Sequence, residues 1–401
     1  MTDLLQLSFL PRDILFQILV RLGARSRGKL SCVSKSFRSI LTDPSFAEFH
    51  RNWSAALNHG TTILFSIWHM LTTDHHHSIP CPVLVSTPHQ FYTINYTEDR
   101  AGDLVQAKIV PHMDKVWVGY GRSVSFAKDQ ICFFHEQTHP DLNVLNLAAG
   151  QRTTLPAIPG FSCALLGYDG VSGTYKVLLS VINFYRRTVK YWVFTLGVDK
   201  TWREIKSPVL FYLSRRFMNS VCINGVIYSY NDLCGRWWET FGNAPIELVA
   251  FDVRSESFHL IPLPPTIYKE DVRKSSLLEF RGRFAVIYLH QNKQLIAWTL
   301  ETAAETAAKS TSCWKKHTFP FPLGSELFWK PFITATAAGE IVVLTLNGVT
   351  SSLWVLLDKF GADSIWKKIQ IMDVSDCPTS VKEAFEVVDA QNIVENLFHL
   401  K

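Results

Sequence analysis

The sequence is short of charge. Asp, Glu, Lys and Arg together make up 19% of its 401 residues, below the roughly 25% usual in globular domains. With apolar residues at 47%, this excludes a mostly disordered chain and allows a sizeable core. It has no cysteine pair at C-x-x-C spacing. Its eight cysteines (Cys32, Cys81, Cys132, Cys163, Cys222, Cys234, Cys313 and Cys377) are scattered. That excludes a disulfide framework and a zinc ribbon, and reads as buried thiols in a reducing compartment. No run approaches the ~18 apolar residues of a membrane-spanning helix. The amino end has no basic stretch, and Arg12 and Asp13 interrupt its apolar residues, so no signal peptide is expected.

The familiar catalytic patterns are missing too. There is no G-x-x-x-x-G-K-[ST] for phosphates and no H-E-x-x-H for zinc. Gly170-Val-Ser-Gly173 departs from G-x-S-x-G at its last spacing and reads as a loop between strands. Glu136 and Asp141 lie in a polar turn, where a carboxylate pair is solvated. Three adjacent histidines, His75 to His77, cannot converge on one tetrahedral ion. No metal, cofactor or catalytic residue is therefore expected.

The charge that is present is uneven. The net charge of +5 is too mild to indicate a nucleic-acid binder. Residues 1–60 carry eight basic and four acidic side chains, leaving the remaining 341 residues with 32 and 31. The same short segment is patterned for helices. Pro11 stands at a helix start and Asp13 in its first turn. Ile14, Leu15, Ile18, Leu19 and Leu22 then fall on one stripe, and Gly23 ends the element. Ser26 caps a second helix with Leu30, Val33, Phe37, Ile40 and Leu41 on one side. Asp43 and Pro44 open a third, with Phe46, Phe49 and Trp53. A unit this small cannot bury so much aliphatic surface within itself. It either packs on the rest of the chain or offers a face to a partner, and the basic excess favours an acidic partner.

Leu10-Pro-Arg-Asp-Ile-Leu-Phe-Gln-Ile-Leu-Val-Arg-Leu22, Leu30-Ser-Cys-Val-Ser-Lys-Ser-Phe-Arg-Ser-Ile-Leu41 and Asp43-Pro-Ser-Phe46 closely resemble an F-box. Gly23 stands where that family usually has Pro, and Phe37 where it usually has Trp. The resemblance implies a Skp-type adaptor as partner and, through it, a cullin and a RING protein. Carried over position by position, the adaptor-facing residues are Leu10, Pro11, Ile14, Leu15, Ile18, Leu19, Leu22, Cys32, Val33, Phe37 and Leu41. Phe37 is the expected centre of that contact, because buried aromatics dominate interface energies.

Beyond residue 60 the pattern turns to short β-rich runs at 83–85, 91–96, 116–118, 131–134, 175–182, 191–196, 221–230, 248–253, 284–289, 295–300, 341–346 and 353–357. Asn224-Gly225, Asp169-Gly170 and Asn347-Gly348 are hairpin-type dipeptides. The markers Val110-Pro111, Leu155-Pro156, Trp202-Arg203, Leu263-Pro264, Trp314-Lys315 and Trp366-Lys367 stand 45, 47, 61, 51 and 52 residues apart. A period near fifty with about four strands each is that of a β-propeller blade, and six markers predict about six blades. Asn143-Val-Leu-Asn146 with Leu155-Pro156, Gly167-Tyr-Asp169 with Tyr175-Lys-Val177, Val193-Phe-Thr-Leu196 with Trp202-Arg203, Cys222-Ile-Asn-Gly-Val-Ile-Tyr228 and Ile261-Pro-Leu-Pro264 resemble the F-box-associated domain of plant F-box proteins, over about 125–371.

The expected fold is thus α+β: a small three-helix F-box module (1–55), a linker (56–82), an all-β propeller-like domain (83–380) and a C-terminal helix or tail (381–401), where Val381, Phe385, Val388, Ile393 and Leu397 follow helical spacing. Arg186 with Arg187, in a hairpin tip, and Trp237 with Trp238, in a polar insertion, are the candidate target-binding residues. The resemblance implies a substrate-recognition subunit of a Skp–cullin–F-box ubiquitin ligase, working in the nucleus or cytoplasm and forming no covalent bond itself, with an unknown target protein and no nucleic acid or membrane as partner. The alternatives are a propeller that binds a small ligand or carbohydrate, or an enzyme that uses the central channel. An F-box protein acting outside a ligase is a third reading.

Overall fold

The computed structural model describes residues 10–20, 30, 34–41, 46, 60–69, 87–98, 104–111, 116–118, 124–128, 130–135, 141–146, 152–157, 161–183, 188–208, 211, 220–231, 247–264, 266–267, 269–290, 294–301, 314–321, 332–335, 340–346, 351–359, 363–371 and 385–392. Most of these lie in strands, with few helices.

At the amino end, α1 (Arg12–Val20) starts where Pro11 predicts, with the Leu15 amide bonded to the Pro11 carbonyl at 3.0 Å. A second helix, α2, is Lys35–Leu41. The sequence predicts one helix from Ser26 through Leu41, yet Ser34 is not helical. Its hydroxyl instead accepts the Phe37 amide at 3.4 Å, the competition by which serine favours a cap over a helix interior. Leu15, Leu19, Phe37, Ile40, Leu41 and Phe46 form one buried cluster, with Leu10, Phe16 and Leu30 against it. Phe16 meets Phe46 edge-on at 5.1 Å.

Among the described residues the strands form six antiparallel sheets. The first holds β1 (Gly60–His69), β2 (Thr87–Glu98), β3 (Leu104–Pro111) and β4 (Val116–Val118). The second is β5 (Val124–Ala127), β6 (Gln130–His135), β7 (Asp141–Asn146) and β8 (Arg152–Thr154). The third is β9 (Phe161–Asp169), β10 (Thr174–Asn183), β11 (Thr188–Thr195) and β12 (Arg203–Ile205). The fourth is β13 (Ser220–Ile223), β14 (Val226–Asn231), β15 (Glu247–Asp252) and β16 (Ser257–Pro262). A short helix, α3 (Lys269–Lys274), precedes the fifth: β17 (Ser276–Phe280), β18 (Arg283–His290), β19 (Gln294–Leu300) and β20 (Trp314–Pro320). The sixth is β21 (Phe332–Ala335), β22 (Ile341–Leu346), β23 (Ser351–Lys359) and β24 (Asp363–Ile371).

The last strand, β25 (Phe385–Asn392), returns to the first sheet and pairs antiparallel with β1, Ile63 opposite Asn392. Two expectations are corrected here. The segment read as a terminal helix is a strand where it is described, and the segment read as a linker contains β1. Helical spacing at 381–397 competes with the open edge of β1, whose unpaired backbone groups a strand satisfies and a helix does not. The first strands touch in sequence, β5 to β9, β13, β17 and β21, then β25 and back to β5.

Both faces of the inner sheets are covered, and the strands show it. On β10, Val177 and Leu179 join the cluster of Cys132, Val144, Ala164 and Phe194 towards the second sheet. Leu178, between them, joins Ile227, Val249 and Phe251 of the fourth sheet. Successive side chains point to opposite faces, so a strand buried on both reads as an unbroken apolar run. Each aliphatic side chain so buried contributes about 1.5–3 kcal/mol.

The fifty-residue period has a physical basis. The indole N–H of Trp202 donates to the carbonyl of Pro156 at 2.7 Å, that of Trp314 to Pro262 at 3.0 Å and that of Trp366 to Pro320 at 2.5 Å. In each case a tryptophan in or just before one sheet's last strand ties down the chain at the end of the previous sheet's last strand. The fourth sheet has Phe258 at this place. Phe258 packs on Phe211 at 4.8 Å, and the Tyr191 hydroxyl does the tying, donating to the Phe211 carbonyl at 2.7 Å and accepting its amide at 3.0 Å.

Asn224 and Gly225 have φ of 50° and 80°, the type I′ turn that their dipeptide predicts. Asp169-Gly170 does not form such a turn. Asp169 is the last residue of β9, four residues intervene before β10, and the positive φ of 69° falls on Gly173. The Asp169 carboxylate accepts the amides of Val171 at 3.0 Å and Ser172 at 3.3 Å, so it caps the loop from outside.

Candidate docking surfaces

The structure divides the adaptor-facing residues into two groups. Ile14 and Ile18, four apart on α1, are each 38% exposed, and Pro11 is exposed beside them. Leu15, Leu19, Phe37 and Leu41 are buried in the helical unit itself, and Leu10 is half-buried against it. The members of this buried cluster all come from residues 10–46. One residue along a helix is a rotation of ~100°, so the single stripe read from the sequence splits into a packed edge and a free edge. Phe37, expected at the centre of the contact, is a core residue of this unit. Leu22, Cys32 and Val33 lie outside the described residues, as do Arg186, Arg187, Trp237 and Trp238. His75 to His77 also lie outside them.

Where β5 and β13 meet, two short neutral side chains face each other. The Ser125 hydroxyl of β5 lies 3.2 Å from that of Ser220 on β13 and accepts the Leu166 amide of β9 at 2.9 Å. Several buried groups have shifted protonation. Burial pushes the Cys222 thiol up to about 11 and the Tyr191 phenol up to about 12. Burial, with Cys163 nearby, raises Cys132 as well. Thiols held this way stay protonated and poorly nucleophilic. Among the described residues no group of His, Cys, Asp and Glu could hold a metal ion, and no helix is long and apolar enough to cross a membrane.

The junction of the third and fourth sheets carries a layer of ion pairs. Arg254 holds Asp169 through Nε to Oδ2 at 3.2 Å and Nη2 to Oδ1 at 3.0 Å. Glu256 accepts Lys176 at 2.7 Å and two bonds from Arg203 at 2.8 and 3.1 Å. Arg203 and Lys176 hold the Glu256 carboxyl below its ordinary range, against the opposing effect of burial. Near these pairs stand two side chains that sequence reasoning passed over, Val171 and Val198, 80% and 67% exposed. Their one signal is an aliphatic residue inside a Gly-rich turn, Gly170-Val171-Ser172-Gly173 and Gly197-Val198.

Comparison with known proteins fits this two-part layout. The F-box domain family matches residues 7–49 and the F-box associated beta propeller domain family matches residues 83–386. F-box protein At1g47810 of Arabidopsis thaliana is 28% identical over 316 residues, 73% of this chain and 84% of that protein. F-box protein At1g52495 of the same plant is 25% identical over 347 residues, 83% of this chain and 73% of that protein. F-box protein At1g47340, also from Arabidopsis thaliana, is 26% identical and covers 83% of this chain and 69% of its own length. With the larger match spanning more than half of its residues, the chain belongs to the family of F-box proteins that carry an F-box associated beta propeller domain.

Proposed function

We propose that this chain is the target-recognition subunit of a Skp–cullin–F-box ubiquitin ligase. The exposed edge of α1, Pro11, Ile14 and Ile18, contacts the Skp-type adaptor, with Leu10 at its rim. Leu15, Leu19, Phe37 and Leu41 hold that edge in shape from beneath. The adaptor brings the cullin and RING protein, and the β domain holds a target. The six sheets act as the six blades of one closed propeller, a rigid platform for turns on its two ends. The chain forms no bond itself. Holding the target near the ubiquitin-charged enzyme raises effective concentration, so that lysine attack becomes close to intramolecular. The reading places the protein in the nucleus or cytoplasm, where thiols not joined in disulfides, such as Cys132, Cys163 and Cys222, persist.

The observation that carries this reading is the pair Ile14 and Ile18, aliphatic and solvent-exposed on a helix, inside a segment that matches the F-box domain. Exposure alone would not mark a contact; it is the F-box match that gives the pair this meaning. Co-purification with a Skp-type adaptor tests it. The wild-type chain is expected to recover the adaptor and the Ile14→Asp, Ile18→Asp variant to lose it while keeping its helical circular dichroism. Equal recovery by both would discard the assignment. The competing reading, an enzyme or ligand site in the central channel, needs ionisable groups converging there. Ser125 and Ser220 in mutual contact across that space speak against it.

A further inference from the structure

Six of the described strands meet one another from sheet to sheet: β5, β9, β13, β17, β21 and, in the first sheet, β25. Five of them run straight into their partner strand through a short connection, from two residues between β5 and β6 to five between β21 and β22. β25 is the exception. It follows β24 in the sequence, and its partner β1 lies more than three hundred residues earlier. No hairpin turn holds this pair together, so the chain entropy of bringing the two strands side by side opposes the pairing from a long loop and not from a tight one.

The pairing is also interrupted. Phe65 lies opposite Ala390 and Ile67 opposite Val387, so β25 advances three residues while β1 advances two. A bulge of this kind disrupts the ladder locally. The pairings of β5, β9, β13, β17 and β21 with their second strands keep one register throughout. Composition points the same way. β25 reads Phe-Glu-Val-Val-Asp-Ala-Gln-Asn, half of it polar, whereas β5, β13 and β21 each carry one hydroxyl among apolar residues. Asp, Asn, Glu and Ala are all depleted in strands. The first sheet meanwhile has other holds on its neighbours: β3 lies against β24 of the sixth sheet and β4 against β6 of the second. It therefore keeps its place when β25 leaves.

We infer that β25 is a detachable strap: it leaves the edge of β1 as a unit while the six sheets stay folded, and the bared edge accepts an extended strand of the same sequence from solution. Opening of this kind is a local event whose free energy lies below that of unfolding the whole domain. An unpaired strand edge is a template for a strand that supplies the missing main-chain bonds, and the strand that fits this edge is β25. The consequence for function rests on the reading of the six sheets as one ring. β25 then sits between β21 and β5, and its release opens the ring at one point. α1 is untouched by this, because the cluster beneath its free edge is drawn from residues 10–46. The strap therefore alters the platform for the target and leaves the adaptor contact as it is.

Hydrogen–deuterium exchange of the full chain tests it, followed by mass spectrometry at urea concentrations below the unfolding midpoint. Peptides covering Gly60–His69 and Phe385–Asn392 are expected to exchange together, about ten-fold or more faster than those covering β10 and β18. A fluorescent synthetic copy of Phe385–Asn392 is expected to be taken up by the wild-type chain, a scrambled copy is not, and the Glu386→Pro, Val387→Pro variant is expected to take up the true copy faster still. Successive amides point to opposite edges of a strand, so one of the two prolines removes a bond to β1 whichever amide faces it. The exchange measurement needs no variant and decides the matter if the double proline prevents folding. Exchange of β1 and β25 in one step with β10 and β18, or no uptake of the copy by a folded variant, overturns the strap, while adaptor recovery by the same chain leaves the ligase role standing. Loss of adaptor recovery by wild type, with early exchange of β1 and β25, does the reverse.

Discussion

Arg254 of the turn between β15 and β16 grips Asp169 at the end of β9 with two nitrogens on two oxygens, 3.2 and 3.0 Å apart. This fork geometry matches guanidinium to carboxylate and fixes orientation as well as distance. It joins neighbouring sheets, and the same carboxylate shapes the loop that presents Val171. Packing between sheets and the shape of the turn end thereby share one residue.

That sharing has a pH signature. Arg254 first, then Ser172 and the Val171 amide, hold the Asp169 carboxyl well below the usual range. A carboxyl lowered on folding stabilises the fold fully above its unfolded pKa, about 4, and loses that contribution as the pH falls below it. Asp169→Asn is expected to lower the melting temperature most near neutral pH, with the gap to wild type closing as the solution becomes acidic. A melting-temperature series over the acidic range measures it. A gap that is constant with pH would mean that the pair does not stabilise the junction.

At Gly167, β9 lies close against Val253 and Ile227. A Cβ there would lie 2.5 Å from Val253 Cγ2 and 2.8 and 2.9 Å from Ile227. Both neighbours are buried and have no room to retreat. Gly167→Ala is expected to destabilise the domain by about 1–3 kcal/mol, the usual cost of overpacking, seen as a lower denaturation midpoint in urea.

The indole-to-proline bond can be removed with little change of shape. Trp314→Phe leaves the Pro262 carbonyl without its donor, and the expected loss is about 0.5–1.5 kcal/mol plus the smaller ring's packing. Phe258→Trp, in the fourth sheet where the series breaks, has no such proline to reach, because Tyr191 and Phe211 occupy its place. It is expected to destabilise. Equilibrium unfolding of the two variants compares them.

The two edges of α1 should respond differently. Phe37→Ala empties a buried site and is expected to cost about 3–5 kcal/mol, more than a small helical unit can spare, with loss of helical signal and of adaptor together. Ile14→Ala removes exposed surface only and is expected to weaken adaptor recovery with the helices intact. Circular dichroism alongside the pull-down separates the outcomes.

Residue types and local spacing made much of this legible. Pro11 and Asp13 mark the start of α1, Asn224-Gly225 marks a hairpin, and the recurrence of Trp202, Trp314 and Trp366 marks the repeat. Where the readings missed, the deciding partner was remote in sequence. The segment 381–401 has helical spacing, yet Phe385–Asn392 is a strand because β1, more than three hundred residues earlier, has a free edge. Ser34 interrupts a helical pattern because its hydroxyl takes the Phe37 amide.

By itself the sequence determined the start of α1, the division into a basic helical end and a β-rich remainder, and the family resemblance, because these depend on patterns a few residues long or on repeats of them. The tertiary structure alone decided which edge of α1 is free, since Leu15 and Ile14 are equally apolar and only the position of Phe37 and Phe46 buries one and not the other. It alone decided that Asp169 meets Arg254, 85 residues away, and that two valines in glycine-rich turns stand in water. Exposure and pairing are properties of what surrounds a side chain, and those surroundings are assembled from distant parts of the chain.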